Sequence, residues 1–371
     1  MKVLQLLPEL NSGGVERGVV ELNREFVKLG IESHVASNGG KLVESITTHG
    51  GIHHTIDVCS KNLFTAPVRA RRLSYLFRSL APDIIHARSR IPAWLALLGR
   101  SKMPSRSAFV TTVHGLNSVN PYSKVMTYGK RVICVSEVVK NYIIKNYNTE
   151  EHKIRIIQRG VDMNYFNPAN CDSVAVQSIK DKFKLNGKFV VSSVGRITWL
   201  KDFETFISSI SKLKDSHPDI MGLIVGETRE DKWEYQESLF KLVEDLGVQK
   251  HITFTGNISD IRSIYACSNV VVNASLKMGN MGRTVVEALA MGVPVIATSF
   301  EGLNNLVVDG QNGFVIKNKD VEGLRKALRE LIQNKFETGH IRSSVPNEFT
   351  LDAMVENVIG VYKELIQPQR H

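Results

Sequence analysis

Short apolar segments alternate with amphipathic helical segments along almost the whole chain, and this alternation limits the fold more than any other feature. The predicted strands lie at 2–7, 33–36, 83–86, 109–113 and 131–135 in the first half and at 189–194, 221–225, 252–255, 269–272 and 293–297 in the second. The helices predicted for the second half lie at about 202–214, 233–246, 320–333 and 350–366. Strands that alternate with helices form parallel sheets covered on both faces. The sequence therefore predicts an α/β protein with two doubly wound domains.

A locally polar segment separates the two halves, and 371 residues are enough for two domains with a core each. We predict an N-terminal domain at 1–165, a linker at 166–186 and a C-terminal domain at 187–349. The last helix, at 350–371, is predicted to pack back on the first domain. Ligands of such domains bind at the carboxyl ends of the strands, so we expect a cleft between the two domains.

One helix of the second half contains a single charge. Residues 284–291 are apolar except for Glu287, and a carboxylate is costly to bury without a partner. The partner could be a ligand, or a neighbouring Arg or Lys of the protein itself. The helix begins at Gly282, Arg283 and Thr284, and free backbone N–H groups at a helix start suit a phosphate.

Three loops that follow predicted strands carry candidate site residues. Arg196 and Lys201 follow the strand at 189–194, and two cations there are suited to a diphosphate. Gly13 and Gly14 follow the first strand and permit close approach of the backbone to a phosphate or sugar. His114 ends another apolar strand, where a purely structural histidine would leave the same pattern.

Several other classes of site have no motif in the sequence. There is no Asp-x-Asp pair for a diphosphate-bound Mg²⁺, no cluster with metal-ligand spacing, no Gly-x-Ser-x-Gly elbow and no P-loop. The four cysteines form no CxxC pair, which indicates a reducing compartment. The first apolar run is too short for a signal peptide, and none reaches the roughly 20 residues of a membrane span. A cytoplasmic location is therefore expected.

Positive charge is concentrated in one region. Thirteen Lys or Arg and one Asp lie between Lys61 and Arg131, a net +12 in a chain whose total is +10. Within it, one helical face carries Leu73, Leu76, Phe77 and Leu80. A basic amphipathic helix suits an anionic membrane surface, but it could also face an anionic substrate or only solvent. Nucleic acid is not expected, because no aromatic-interleaved motif accompanies the charge.

A set of motifs covering nearly the whole chain resembles one known family. The motifs are Leu10-Asn-Ser-Gly-Gly-Val-Glu-Arg17, His86-Ala-Arg-Ser-Arg90 with Pro92-Ala-Trp94, Thr111-Thr-Val-His-Gly115, Arg159-Gly-Val-Asp162, Val194-Gly-Arg196 with Lys201-Asp202, and Gly282-Arg-Thr-Val-Val-Glu-Ala288 with Gly292-Val-Pro-Val295. In this order and spacing the chain is similar to the family 4 glycosyltransferases of the GT-B fold, in particular the bacterial lipopolysaccharide-type members. The resemblance implies two Rossmann-like domains facing a central cleft.

The resemblance also implies catalytic roles. Arg196 and Lys201 would hold the donor diphosphate and stabilise the charge that develops as the nucleotide leaves. His114 would contact the donor sugar near the reacting carbon. Gly13 and Gly14 would bring backbone to the donor phosphates.

The nucleotide itself is assigned to the C-terminal domain by the same resemblance. Glu287 would accept hydrogen bonds from the ribose hydroxyls, and Asn257 would flank the base. Gly282, Arg283 and Thr284 would complete the nucleotide-sugar site at the helix start.

The implied reaction is retaining transfer, without metal or cofactor, from a nucleotide-sugar to a lipopolysaccharide-core or related glycolipid or saccharide. Arg88 and Arg90 lie in the basic domain and would bind a phosphorylated or carboxylated acceptor. The expected location is the cytoplasm, with peripheral contact to the anionic inner membrane.

One departure from the family pattern leaves alternatives open. Gly279 stands where relatives carry the first Glu of a paired-Glu motif, and Asn305 replaces another family Glu. Three alternatives follow: a different donor sugar, a lower activity, or a non-catalytic homologue that binds nucleotide-sugar without efficient turnover. A nucleotide-sugar epimerase or phosphorylase of the same fold is the other alternative.

Overall fold

The computed structural model describes residues 1–11, 13–228, 233–276, 282–299, 306–334 and 336–366. The chain divides into two compact units. Residues 1–160 and the chain from Leu351 onward form the N-terminal unit, and residues 161–350 form the C-terminal unit.

The N-terminal unit is built on one parallel sheet. Over the described residues its strands are β1 (Lys2–Leu6), β2 (Glu32–Ser37), β3 (Ile52–Thr55), β4 (Ile84–Ala87), β5 (Ala108–Val113), β6 (Arg131–Cys134) and β7 (Ile154–Ile156). Their order in the sheet is β3-β2-β1-β4-β5-β6-β7. The strand order reverses between β1 and β4, and in such sheets this is where the loops at the carboxyl ends diverge and leave room for a ligand.

The C-terminal unit repeats the arrangement. Over the described residues its strands are β8 (Phe189–Val194), β9 (Ile220–Val225), β10 (Ile252–Gly256), β11 (Val270–Asn273), β12 (Val295–Thr298) and β13 (Gly313–Ile316). They are parallel in the order β10-β9-β8-β11-β12-β13, with the reversal between β8 and β11. The prediction of two doubly wound, Rossmann-like domains is confirmed.

Helices cover both sheets. Those before β8 are α1 (Gly14–Lys28), α2 (Val43–Thr48), α3 (Ala66–Leu80), α4 (Arg90–Leu98), α5 (Pro121–Lys124), α6 (Glu137–Tyr147) and α7 (Ser173–Lys182). Those after it are α8 (Phe203–Ser211), α9 (Trp233–Asp245), α10 (Ile261–Cys267), α11 (Arg283–Ala290), α12 (Val321–Gln333), α13 (Thr338–Ser343) and α14 (Leu351–Ile366). Buried stripes such as Val19, Leu22 and Phe26 of α1 join them to the sheets.

The segment predicted as a linker, 166–186, is part of the C-terminal unit instead. It contains α7, whose Val176 and Ile179 pack against the core of that unit together with Phe183. The polar residues Asn167 and Asp172 cap a short 3-10 turn and the start of α7, so local polarity marks a helix boundary there.

The last helix, α14, belongs to the N-terminal unit. It buries Met354, Val358 and Tyr362 in a cluster with Phe26 of α1. The Tyr362 ring lies 5.9 Å from that of Phe26. The unit is thus closed by a segment that follows the whole C-terminal unit in sequence.

Three strands, β3, β7 and β13, were absent from the sequence prediction. All three lie at sheet edges, and each has partly buried or exposed positions, whereas β4 and β11 are buried throughout. An edge strand is covered less than a central one, so it does not require a continuous apolar run.

Candidate functional site

The reversal point of the C-terminal sheet carries the predicted cationic loop. Gly195 follows β8 directly, at φ 154°, and its N–H donates to Val225 O of β9 (2.9 Å). A Cβ on Gly226 would overlap Gly195 O, so two glycines hold this loop close to the sheet. The loop exposes Arg196 and turns Lys201 back toward β11.

Lys201 is held by a hydroxyl rather than by a carboxylate in its described contacts. Its Nζ donates to Ser275 Oγ (3.2 Å), in the segment after β11. Burial, and then the neighbouring charge of Arg196, lower the pKa of Lys201. Two neighbouring cations, of which Lys201 has a hydroxyl as its partner within the described part of the chain, are suited to a ligand of high negative charge.

Ser275 belongs to a polar chain that the sequence analysis missed. Its Oγ donates to Asn273 Oδ1 (2.6 Å), and Asn273 Nδ2 donates to Thr284 Oγ1 (3.3 Å) in the first turn of α11. Thr298 Oγ1 donates to Ser275 O (2.7 Å). The side chains of Lys201 and Thr284 are thereby linked across the reversal point.

Glu287 has internal partners, which was one of the two alternatives left open by the sequence. Its side chain lies in α11 and the residue is 3% exposed. Tyr265 Oη donates to Glu287 Oε2 and Arg283 Nε donates to Oε1, both at 2.8 Å. A carboxylate can accept about four hydrogen bonds, so these two contacts still leave acceptor capacity on its oxygens.

The other predicted nucleotide residues lie at the same end of the sheet. Gly282 is the N-cap of α11 and is buried, and Arg283 begins the helix. Asn257 follows β10 directly and is exposed. Gly279 and Asn305, which depart from the family pattern, lie outside the described residues.

His114 lies at the carboxyl end of the N-terminal sheet, just after β5. Arg159, which follows β7, donates from Nη2 to His114 Nδ1 (2.9 Å). Burial, and the charges of Arg159, Arg88 and His86, hold the pKa of His114 well below 6.5. The sequence analysis quoted Arg159 within a family motif but assigned it no role.

Arg88 is not a surface cation. It follows β4 at the reversal point and is 7% exposed, and its Nε has no hydrogen-bond partner among the described residues. Burial lowers its pKa to about 10. A buried guanidinium of this kind marks a place for an anionic or hydroxyl-rich ligand.

The remaining N-terminal candidates flank this centre. Gly13 caps α1, and a Cβ on Gly14 would lie 2.9 Å from Arg159 Nη1. Arg90 starts α4 but donates to Ser123 Oγ (3.2 Å) and stacks on Tyr122, 5.1 Å from the ring centre. The structure therefore gathers Gly14, Arg159 and His114, while Arg90 is held by another pair of residues.

The amphipathic helix that was predicted to contact a membrane packs its apolar face on the protein core instead. In α3, Leu73 and Phe77 are fully buried in the core of the N-terminal unit, so that face is not available to lipid. Three exposed apolar residues, Leu63, Phe64 and Val68, lie in and just before the first turn of α3 and are 83%, 95% and 57% exposed.

Within the described ranges, no three His, Cys, Asp or Glu side chains are grouped so that they could hold a metal ion. Nor does any helix in the described part of the chain have the length and apolar character to span a bilayer.

Comparison with known proteins gives consistent matches over both units. The family model described as Glycosyltransferase Family 4 matches residues 12–165, and that described as Glycosyl transferases group 1 matches 176–344. A glycosyltransferase structure from Rickettsia africae ESF-5 is 29% identical, with a TM-score of 0.88 over 99% of each chain.

Two more distant proteins have informative names. The Escherichia coli UDP-Gal:alpha-D-GlcNAc-diphosphoundecaprenol alpha-1,3-galactosyltransferase is 27% identical over 76% of each chain. The structure of Anabaena HepE with UDP-glucose is 17% identical and has the same fold, with a TM-score of 0.83 over 98% of this chain and all of that one.

Proposed function

This chain belongs to the family 4 glycosyltransferases of the GT-B fold, and on that premise we propose that it transfers a sugar from a nucleotide-sugar to an anionic glycolipid, with retention and without metal. The acceptor we propose is a lipopolysaccharide core or a related lipid-linked saccharide at the cytoplasmic face of the membrane. The observation that carries the proposal is the pair Arg196 and Lys201 at the reversal point of the C-terminal sheet, where Lys201 meets a hydroxyl and the charge of Arg196 among the described residues.

The donor diphosphate would bind this cation pair. As the bond from the sugar to the diphosphate breaks, negative charge grows on the leaving oxygen, and a fixed cation stabilises it more than the ground state. Glu287 would accept the ribose hydroxyls, Asn257 would flank the base, and Gly282, Arg283 and Thr284 would frame the phosphates. Uridine is the base we propose, since the HepE complex contains UDP-glucose and the E. coli relative is named for UDP-Gal.

The acceptor and the donor sugar would meet the N-terminal residues. Gly13 and Gly14 would bring backbone N–H groups to the donor, and His114 would hold a sugar hydroxyl. The buried guanidinium of Arg88 supports an anionic acceptor, with Arg90 beside it in sequence. The E. coli relative is named for a lipid diphosphate acceptor, which is the same chemical class.

Thermal unfolding tests the donor assignment without any knowledge of the acceptor. We expect UDP and UDP-sugars to raise the melting temperature in EDTA, whereas uridine alone does not, because the cations bind the diphosphate. A ligand at 100 times its Kd stabilises the native state by about 2.7 kcal/mol.

GDP, ADP and CMP with their sugars complete the series. A shift with another base would correct the uridine assignment, and a shift that requires added metal would contradict metal independence. No shift with any nucleotide would favour the non-catalytic alternative suggested by Gly279. Release of nucleotide with transfer of the sugar to an acceptor would distinguish the transferase from an epimerase or phosphorylase.

We propose that membrane contact is made by the exposed apolar tip Leu63, Phe64 and Val68, flanked by the basic face of α3. Replacing both Leu63 and Phe64 with serine should weaken binding to phosphatidylglycerol vesicles about 10-fold or more, because two large side chains no longer enter the interface. Co-sedimentation measures this effect. The melting temperature should not change, since both residues are largely exposed.

Val174→Ser, at a 75% exposed position of the C-terminal unit, is the matched control and should bind vesicles normally. Binding should also fall as salt is raised. Equal binding by the double variant and the control, or binding that ignores lipid charge, would contradict the membrane assignment.

A further inference from the structure

Among the described residues, charged and titratable groups from the ends of two strands, β4 and β7, act on the His114 ring. The charged and titratable groups that act on it are Arg159, after β7, and Arg88 and His86, from β4 and the loop behind it. His86 is itself bound to Thr112 Oγ1 and to Tyr362 Oη, both at 2.6 Å, so it is fixed in place. The ring thus lies among cations and neutral hydrogen-bonding groups.

The contact with Arg159 decides which nitrogen of His114 carries the proton. A guanidinium has donors and no acceptor, so the Nδ1 atom 2.9 Å from Arg159 Nη2 must accept. The ring proton is then on Nε2. A second ring proton would set two N–H groups against each other and add charge beside Arg159 and Arg88.

Space for the guanidinium is provided by the glycine loop. A Cβ on Gly14 would lie 2.9 Å from Arg159 Nη1, tighter than ordinary packing allows. Arg159 is 9% exposed and touches the start of α1 on one side and His114 on the other. Its two Nη atoms therefore have fixed neighbours, as expected of a group that orients another.

We propose that Arg159 is a positioning residue that keeps His114 as a neutral imidazole protonated on Nε2, so that the ring acts only as a hydrogen-bond donor and not as a general acid or base. If the proposed function holds, the ligand atom that meets Nε2 is an acceptor, such as a sugar hydroxyl or phosphate oxygen. The protonation state itself does not depend on that function.

Nuclear magnetic resonance of isotope-labelled histidine in the ligand-free protein tests the protonation state directly. The His114 ring is assigned by its loss in His114→Gln. We expect a neutral ring with the proton on Nε2 at pH 6.5 and above, with no titration near the ordinary histidine value. A proton on Nδ1, or titration near the ordinary histidine value, would overturn the proposal whatever reaction the protein catalyses.

Arg159→Met tests the role of the arginine. Removing this cation should raise the pKa of His114 toward 6.5, although burial, Arg88 and His86 still oppose protonation. The Nε2 preference should also be lost. Sugar transfer should fall about 10- to 100-fold, as for other partners that orient a histidine, and should fall further as pH decreases.

Arg155→Met is the matched control, since Arg155 pairs with Glu364 near the surface and lies four residues earlier. It should leave the His114 spectrum and the pH profile unchanged. If Arg159→Met also leaves both unchanged, the surroundings other than Arg159 determine the protonation state of the His114 ring, and the proposal is wrong. Absence of transfer in the wild type, with the Nε2 tautomer present, would reject the proposed function but not the role of Arg159.

Discussion

Replacing Lys201 with methionine should slow sugar transfer by about 10²- to 10³-fold, the usual loss when one fixed charge-stabilising group is removed. Methionine keeps most of the stem that packs near Gly195 and removes the charge. Steady-state rates with saturating donor measure the loss, and the effect should appear in kcat, because the charge on the leaving diphosphate is greatest in the transition state.

The same change should not destabilise the ligand-free protein. Burial and Arg196 lower the pKa of Lys201, which means that its charged form is disfavoured in the folded state relative to the unfolded chain. Removing that charge should leave the melting temperature equal or higher, while the shift produced by UDP becomes smaller. The cost of burying the charged lysine disappears as pH rises toward its ordinary pKa of 10.5, so the free energy of unfolding of the wild type should increase over that range. The variant should lack this increase.

Lys212→Met is the matched control because Lys212 lies on the surface of the same unit and pairs with Glu322. It should keep both transfer and the UDP shift. Wild-type turnover in Lys201→Met would exclude the diphosphate role. A large drop in its melting temperature would show that the lysine is structural.

Glu287→Ala should lower the free energy of unfolding by about 3–5 kcal/mol, the usual result of removing one partner from a buried ion pair. The carboxylate is 3% exposed, and its loss leaves the Arg283 guanidinium and the Tyr265 hydroxyl without that acceptor. Chemical denaturation measures the change. Glu322→Ala, an exposed carboxylate of the same unit, should have little effect.

Glu287→Gln separates binding from stability, since the amide keeps an acceptor for Tyr265 and nearly the same volume. If Glu287 holds the ribose, this variant should bind UDP more weakly but pyrophosphate as well as the wild type does. Equal weakening for both ligands would indicate that the residue acts only by holding α11 together.

Sequence patterns located the central strands, but they did not show what every apolar helix face contacts. The mainly apolar run 189–194 predicts a central strand, and it coincides with β8, whose central positions are buried. The pattern of α3 was equally clear but ambiguous in meaning. An apolar stripe beside arginines describes a helix packed on a core as well as one lying on a membrane, and only the contacts of Leu73 and Phe77 distinguish the two.

The sequence predicted the site residues that follow a strand directly. It did not predict contacts that depend on which strands are neighbours in the sheet. Arg196, Lys201 and His114 each come after an apolar run. Ser275 and Asn273 also follow one, but their importance depends on β11 being the neighbour of β8, and several strands later in the chain are possible neighbours. The pairing of Arg159 with His114 joins residues 45 apart in sequence and has no local signal.

The position of α14 has a consequence for biosynthesis. Because the ribosome makes residues 351–366 after all of the C-terminal unit, the first unit to leave the ribosome is completed last. Until then the apolar surface around Phe26 lacks its cover, and His86 lacks Tyr362 as a partner. The nascent N-terminal unit should therefore be a substrate for chaperones throughout translation of the second unit, which can fold from one continuous stretch of chain.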